Sequence, residues 1–539
     1  MGPAIGMLSI RASCAFWVPL VLLAATTQEL LHQAEAYVER EQFSLAEPVL
    51  KNALRLEPSN VQALHRLGYV QYRQRNLAEA KKNFSSALNL APPAYHSRYF
   101  LGRIAMLEND PAEAISWLQP VFDSRQQIFD TASQLAAAYA AAGQTEKALG
   151  PLQIAIAEAP WDGALYYRLG QIYLRKGQRE IAQEAFDNSR RLKNATREDV
   201  EILMQTSRLI GEGKKAEGVQ AGAQIINRSS PDPNSLVALG VVYGTNNLQR
   251  EALDAFERAA ALDASLFQAH YNRGLALLKL NRTAEALPSL ARAVELLPQS
   301  VEANVTYGLA GVMSQRYTEA VAPLEQARKL NSSNARVDAL LATAYLRIGQ
   351  PAKAVSVLQT DSLRSSVDPA PTLLLVEALN ATNSPEKALS AAVDARTRFP
   401  QSPQAQLAVA QQLARMGRYQ EAKPSFEEVL RLIPGNPEAE LGLADTYQKA
   451  GDHPAALTHY PPAIENPRTS VAARAGMARS LIALRRLEES RKLLEDGISL
   501  YPADPALRVE LSRVYARLGK PDLAAEQTRM VEKLRSEQN

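Results

Sequence analysis

The 539-residue chain has one cysteine, Cys14, three tryptophans, eleven phenylalanines and 26 glycines. A lone thiol excludes an internal disulfide framework and a cysteine-rich zinc site. Few aromatics and glycines beside 46% hydrophobic residues suit an Ala- and Leu-rich helical protein and poorly suit a barrel or sandwich. Charge of one sign is also missing: 60 Lys+Arg stand against 57 Asp+Glu, a formal net charge of +3. The basic clusters, Lys81-Lys82, Arg190-Arg191, Lys214-Lys215 and Arg485-Arg486, are only pairs. Pairs read as solvated helix faces, not as the concentrated footprint that phosphate binding needs, so no nucleic-acid partner is expected.

Catalytic patterns are absent too. The six histidines (His32, His65, His96, His270, His453 and His459) show no metal-ligand spacing with a second ligand on one face. Gly211-Glu-Gly213-Lys214-Lys215 lacks the phosphate-loop frame and follows a helix instead of a strand. There is no Gly-x-Ser-x-Gly elbow and no His-Glu-x-x-His. A non-enzymatic protein without cofactor or metal is expected.

One apolar run stands near the start. Residues 1–11 hold one base, Arg11, and no acid; Ala12 to Ala25 is uncharged and mostly apolar. As a helix it would reach roughly 21 Å, short of the roughly 30 Å hydrocarbon core, and Pro19 weakens a spanning helix. A short apolar core behind a base, closed by Ala24, Ala25 and Thr26, reads as an export signal over residues 1–26 with cleavage near Ala25. The alternative is an uncleaved anchor, with membrane association through residues 12–25. Gly2 lacks the serine or threonine context of myristoylation, and Cys14 stands at the start of the apolar run, where a lipoprotein cysteine would follow it. The expected location is periplasmic or secreted, the periplasm being preferred, or else the membrane if the leader stays in place.

What is present is a repeat. Residues 27–538 divide into fifteen blocks of 34 with two extra residues, leaving no stretch free for a catalytic domain. The second block reads Val61-Gln-Ala-Leu-His-Arg-Leu67-Gly68-Tyr-Val-Gln-Tyr72, then Ala80, Phe84, Ala87 and Pro92. The eighth has Gly274, Ala286, Leu290, Ala293 and Pro298, and the twelfth Ala410, Gly417, Tyr419, Ala422, Phe426 and Pro434. Position 20 is alanine in all blocks but one, which has Ser490; position 8 is small except at Met204 and Val376. This pattern resembles the tetratricopeptide repeat. The resemblance implies an all-α fold, a right-handed superhelical solenoid of antiparallel helix hairpins. Helix A is expected over positions 2–14 and helix B over 17–30, with glycine or asparagine turning at position 15. Small residues at 8, 20 and 27 let backbones approach, and a large residue at 24 fills the remaining space.

In phase, repeats one to six occupy 27–230, a two-residue insertion falls at Pro231-Asp232, and repeats seven to fifteen occupy 233–538. The sixth block, with Met204, Gly211, Gly213 and Gly218, and the tenth, which loses its pattern after Leu358, are expected to be the weakest links in a chain of nearest-neighbour contacts.

The family's concave groove is lined by positions 2, 5, 9 and 12 of helix A. Blocks two and three place His65, Tyr69, Tyr72, His96, Tyr99 and Arg103 there. Blocks seven to nine place Val237, Val241, Tyr271, Leu275, Leu278, Val305, Leu309 and Val312 there. These form the expected binding surface for a peptide or helix; the competing reading is contact with neighbouring repeats. Blocks twelve and thirteen turn polar and acidic, with Gln404, Gln411, Glu438, Asp445 and Gln448. No three successive blocks carry the Lys/Asn set of a carboxylate clamp. Position 6 has Asn272 but Arg66 and Thr306 elsewhere, so there is no asparagine ladder, and the 34-residue period argues against the RNA-reading pentatricopeptide repeat.

The expected function is a protein-binding scaffold of the cell envelope or secreted space. Its alternatives are a membrane-anchored scaffold for envelope, pilus or polysaccharide-export assembly and an accessory subunit that presents substrate to a separate enzyme. Mass spectrometry of the mature amino terminus tests the leader: a start near Thr26 is expected, and a start at Met1 or Met7 overturns the cleaved leader.

Overall fold

The computed structural model describes residues 26–538 except 127, 194–195, 332–333, 361–362 and 364–365. The leader lies outside the described residues apart from Thr26, whose hydroxyl accepts a hydrogen bond from Glu29 N while the Glu29 carboxylate accepts one from Thr26 N, a reciprocal cap on the first helix. Among the described residues there are thirty helices and no strand, two helices to each repeat. None of these helices is long and apolar enough to cross a membrane.

Helix A runs over positions 1–13 in most repeats, as in Val61–Arg73 and Val301–Met313, and helix B over 17–30, as in Leu77–Leu90 and Tyr317–Leu330. Helix A thus starts and ends one residue earlier than expected. The reason is the cap: the residue at position 34 precedes it and binds its free amides, Asn60 accepting from Ala63 N and Ser300 from Ala303 N. At the other end every repeat places one residue in the left-handed region. Where glycine stands there, as Gly143 or Gly417, the conformation is easily adopted; Glu41, Arg75, Gln315 and Arg485 hold it with a Cβ.

Contacts divide the chain into two compact units, up to Asn246 and from Asn247 onward. In each unit, helix hairpins stack on their sequence neighbours. The packing that holds a hairpin together is visible at position 8. A Cβ added at Gly68 would lie 2.9 Å from Phe84, and one at Gly274 would lie 2.5 Å from Leu290. Phe84 and Leu290 are at position 24, and both are wholly buried. The alanines at position 20 complete the contact: Ala80, Ala286, Ala320 and Ala422 have no exposed surface.

The first unit corrects the phase. In the sixth repeat helix A spans fifteen residues, Arg197–Gly211, and the left-handed residue is Gly213, two places later than the sequence frame put it. Helix B then starts at Lys215. Ala216, assigned to position 20, is exposed, whereas Gly218 is buried. Met204, assigned to position 8, is 54% exposed, and the small residue packed there is the fully buried Thr206. The two extra residues therefore extend the start of helix A. Pro231 and Asp232 are no insertion but the ordinary end of a repeat, with Asp232 capping Pro233–Thr245 through Ser235 N. This longer helix A is fixed by its buried Asp199, which pairs with Arg228 at 2.5 Å and accepts a hydrogen bond from Ser235 Oγ at 2.9 Å. The division into units thus falls one helix beyond Asp232.

In the second unit the tenth repeat is irregular, as its sequence suggested. Its helix B, Pro351–Leu358, has eight residues where its neighbours have fourteen. The apolar core nevertheless runs unbroken from Ala320 to Leu443, because Leu358, Leu363 and Leu375 bridge the short helix. The last described helix, Pro521–Gln538, is polar, and exposed Thr528 in it takes the position that Leu290 or Phe84 fills elsewhere.

The close contact at position 8 sets a measurable cost. Gly274→Val should lower stability by ~1–3 kcal/mol through overpacking against Leu290. Combined with Leu290→Ala, the loss should be smaller than the sum of the two single losses, read as the midpoint of denaturant unfolding by circular dichroism. Additive losses in the double variant would separate the two side chains.

Candidate binding groove

In the first unit the structure gathers His65, Tyr69, Tyr72, His96, Tyr99 and Arg103 on adjacent A helices, around rings the groove positions alone did not reveal. Phe100 is the hub. Its ring lies 5.4 Å from Tyr69, 5.3 Å from Tyr72, 5.2 Å from Tyr99 and 6.0 Å from His65, and it stacks on Phe84 at 5.3 Å. Phe129, from the loop before the next helix, packs at 4.8 Å from Tyr99 while 60% of it stays exposed, and it holds a left-handed backbone. Tyr99 itself is buried, its hydroxyl donating to Asp130 and accepting from Arg103 Nη1 at 2.8 Å. Burial and the Asp130 carboxylate push that phenol above its ordinary value.

His65 is half-buried among these rings, with Nδ1 3.0 Å from Ser97 Oγ. Burial first, then the charges of His96 and Arg66, push its pKa down to about 4. Val237 and Val241 lie apart from this cluster, on Pro233–Thr245; Val237 is buried, and Val241 half-buried.

In the second unit Tyr271, Leu275, Leu278, Val305, Leu309 and Val312 are all half-buried. Part of that burial comes from contacts within the chain: Val305 and Val312 pack against the continuous core, and Tyr271 stacks on Phe267 of its own helix at 5.6 Å and reaches Thr306 Oγ1 of the next repeat at 3.4 Å. The stripe keeps a partly exposed apolar face.

The groove opens into a cavity further along, over repeats eleven to thirteen, with a volume of about 820 Å³. Leu373, Leu407 and Leu441, at position 5 of three successive A helices, line it together with Glu377, Gln411 and Asp445, at position 9. Gln404 and Glu438, read from the sequence as a polar stretch, line it as well, whereas Gln448 turns away to donate to Gly476 O and Ser480 Oγ. The leucine at position 5 in three consecutive repeats was the available sequence signal for this cavity. Asp445 is half-buried, accepts a hydrogen bond from the Tyr460 hydroxyl at 2.8 Å, and has its carboxyl pushed up by burial. Among the described residues no group of three or more His, Cys, Asp or Glu side chains could hold a metal ion.

Family models described as tetratricopeptide repeat match residues 31–81, 66–120, 163–193, 237–301, 312–369, 413–461 and 476–535, together more than half of the chain. No curated protein sequence matches. Among solved structures, the chain is similar to the Cut9–Hcn1 hetero-tetramer of the APC/C, at 14% identity and a TM-score of 0.37, covering 95% of this chain and 94% of that one. It is also similar to yeast Tom70, at 15% identity and a TM-score of 0.32, covering 87% and 98%. A third similar structure is a double mutant of MamA RS-1, at 20% identity and a TM-score of 0.29, covering 32% of this chain and 98% of that one.

The His65 environment gives a pH dependence with a definite sign. Its folded pKa lies below the ordinary 6.5 of the unfolded chain, so above that value both states are neutral and nothing changes. As pH falls from about 6.5 toward about 4, only the unfolded chain takes up the proton, and stability is lost, by about 3 kcal/mol at most. His65→Gln, which keeps a hydrogen-bonding group beside Ser97, should flatten this part of the stability-against-pH curve.

Proposed function

Because the chain belongs to the tetratricopeptide repeat family, we propose that it is a non-enzymatic scaffold that binds segments of other proteins in the groove lined by its A helices. Repeats of this family are protein-interaction modules, but the fold alone selects neither partner nor pathway. The observation that carries the reading is the cavity over repeats eleven to thirteen, where the same positions of three successive A helices meet in one open trough. The half-buried stripe from Tyr271 to Val312 supplies further apolar surface of the kind that an amphipathic helix or extended segment covers.

The scaffold works outside the cytoplasm in this proposal, in the periplasm or the secreted space. The apolar run Ala12–Ala25 and the absence of any cysteine beyond it support that placement. An anchored form, in which residues 12–25 stay in the membrane, rests on the same run.

Two variants test the binding reading. Tyr271→Ala combined with Leu309→Glu places a charge on the middle stripe, and Leu407→Glu places one in the cavity. With proteins captured from envelope extracts and quantified by mass spectrometry, the specific partner should fall at least roughly tenfold in one of these variants, equivalent to about 1.4 kcal/mol. Helical circular dichroism should stay unchanged. Undiminished capture by both folded variants defeats the groove as the binding surface.

A further inference from the structure

We propose that the cavity over repeats eleven to thirteen takes a partner segment presenting a lysine or arginine between apolar side chains. This rests on the groove reading above and names the chemistry of the occupant. Three observations support it.

The floor is apolar, because Leu373, Leu407 and Leu441 recur one repeat apart and remain half-buried. They offer contact to aliphatic side chains spaced along a segment that crosses successive A helices. The walls are acceptors. Glu377 and Glu438 are exposed carboxylates that form no ion pair among the described residues, in a chain where surface carboxylates are commonly paired to arginine, as in Arg418–Glu421 and Arg431–Glu428. Asp445 receives the Tyr460 hydroxyl and no ion-pair partner within 4.0 Å; Arg479 and Lys449 offset its charge only from a distance.

The third observation is Gln412. Only 3% of it is exposed, it lines the same cavity, and its Oε1 is buried without a hydrogen-bond donor. A buried acceptor left unsatisfied is destabilising, and a donor arriving with a ligand relieves it. An ammonium or guanidinium offers several donors at once, and its stem is apolar enough to lie along leucines. The two bases of the cavity, Arg415 and Lys449, stand at the carboxyl ends of their helices and are exposed. They mark one rim as unfavourable for a cation and leave the acceptors along the rest of the trough as its place.

The test pans a random peptide library displayed on phage against the full chain. The strongest selected sequences are then synthesised and titrated against the wild type and variants. Enriched peptides should carry lysine or arginine flanked by aliphatic residues. Their affinity should fall about tenfold in Glu438→Gln/Asp445→Asn and weaken as salt rises from about 50 mM to about 500 mM. Asparagine at 445 still accepts the Tyr460 hydroxyl; should that variant misfold, Glu377→Gln/Glu438→Gln, both at exposed positions, carries the same arm. Peptides that lack a base, or that bind the amide variants as tightly as the wild type, overturn the proposal while leaving the groove reading intact. Peptides that bind equally to folded Leu407→Glu, or a library that yields no binder, overturn both.

Discussion

The structure depends on how closely two helices of a hairpin can approach. Where a Cβ at Gly274 would press on Leu290, or one at Gly68 on Phe84, the absence of that atom lets the large residue of helix B reach the backbone of helix A. Most hairpins repeat some version of this contact, closed at position 20 by alanine except where Gly218 or Ser490 stands there. Since no hairpin buries its apolar face alone, the same contact dictates stacking, and stacking sets successive A helices side by side. The groove is a consequence of that order: positions 5 and 9 are displayed because 8, 20 and 24 are used up in packing.

The turn between the helices illustrates a local cost accepted for a global pattern. It needs one left-handed residue in each repeat, and glycine or asparagine supplies it in most. Glu41, Arg75, Gln315 and Arg485 adopt it with a side chain present, a conformation that disfavours L-residues by about 1–2 kcal/mol. Packing on both sides of the turn over-determines the backbone, so the residue there is comparatively unconstrained in type.

Binding surfaces arise where side chains are spared from packing, and the two units spare different ones. Around Phe100 the rings satisfy one another, and His65 and Tyr99 are drawn into the interior at the expense of their titration. Over repeats eleven to thirteen, exposed carboxylates line an open trough over a leucine floor, and the amide oxygen of Gln412 lies buried without a donor. What differs is whether polar groups find partners within the chain.

Much of the fold was legible in the sequence because its signal is periodic. Alanine at position 20, a small residue at 8 and the turn residue at 15 recur at one spacing, and periodic packing translates directly into helix boundaries and hairpin pairing. The groove positions were legible for the same reason. Sequence could not place the two extra residues of the sixth repeat, since a frame counted by composition tolerates the shift that puts Ala216 where Gly218 packs. Only burial decides between them, and burial belongs to the neighbours. Nor could it say that Phe100 and Phe129 would join the aromatic cluster, that Val237 would be buried while Val241 stayed half-exposed, or that Gln412 would be left without a donor. Those outcomes depend on which side chains from different repeats converge in space. Residue spacing was enough to define the repeating unit, because each unit's contacts are local. The tertiary structure decided which surfaces remain free, because that is settled only when every neighbour is in place.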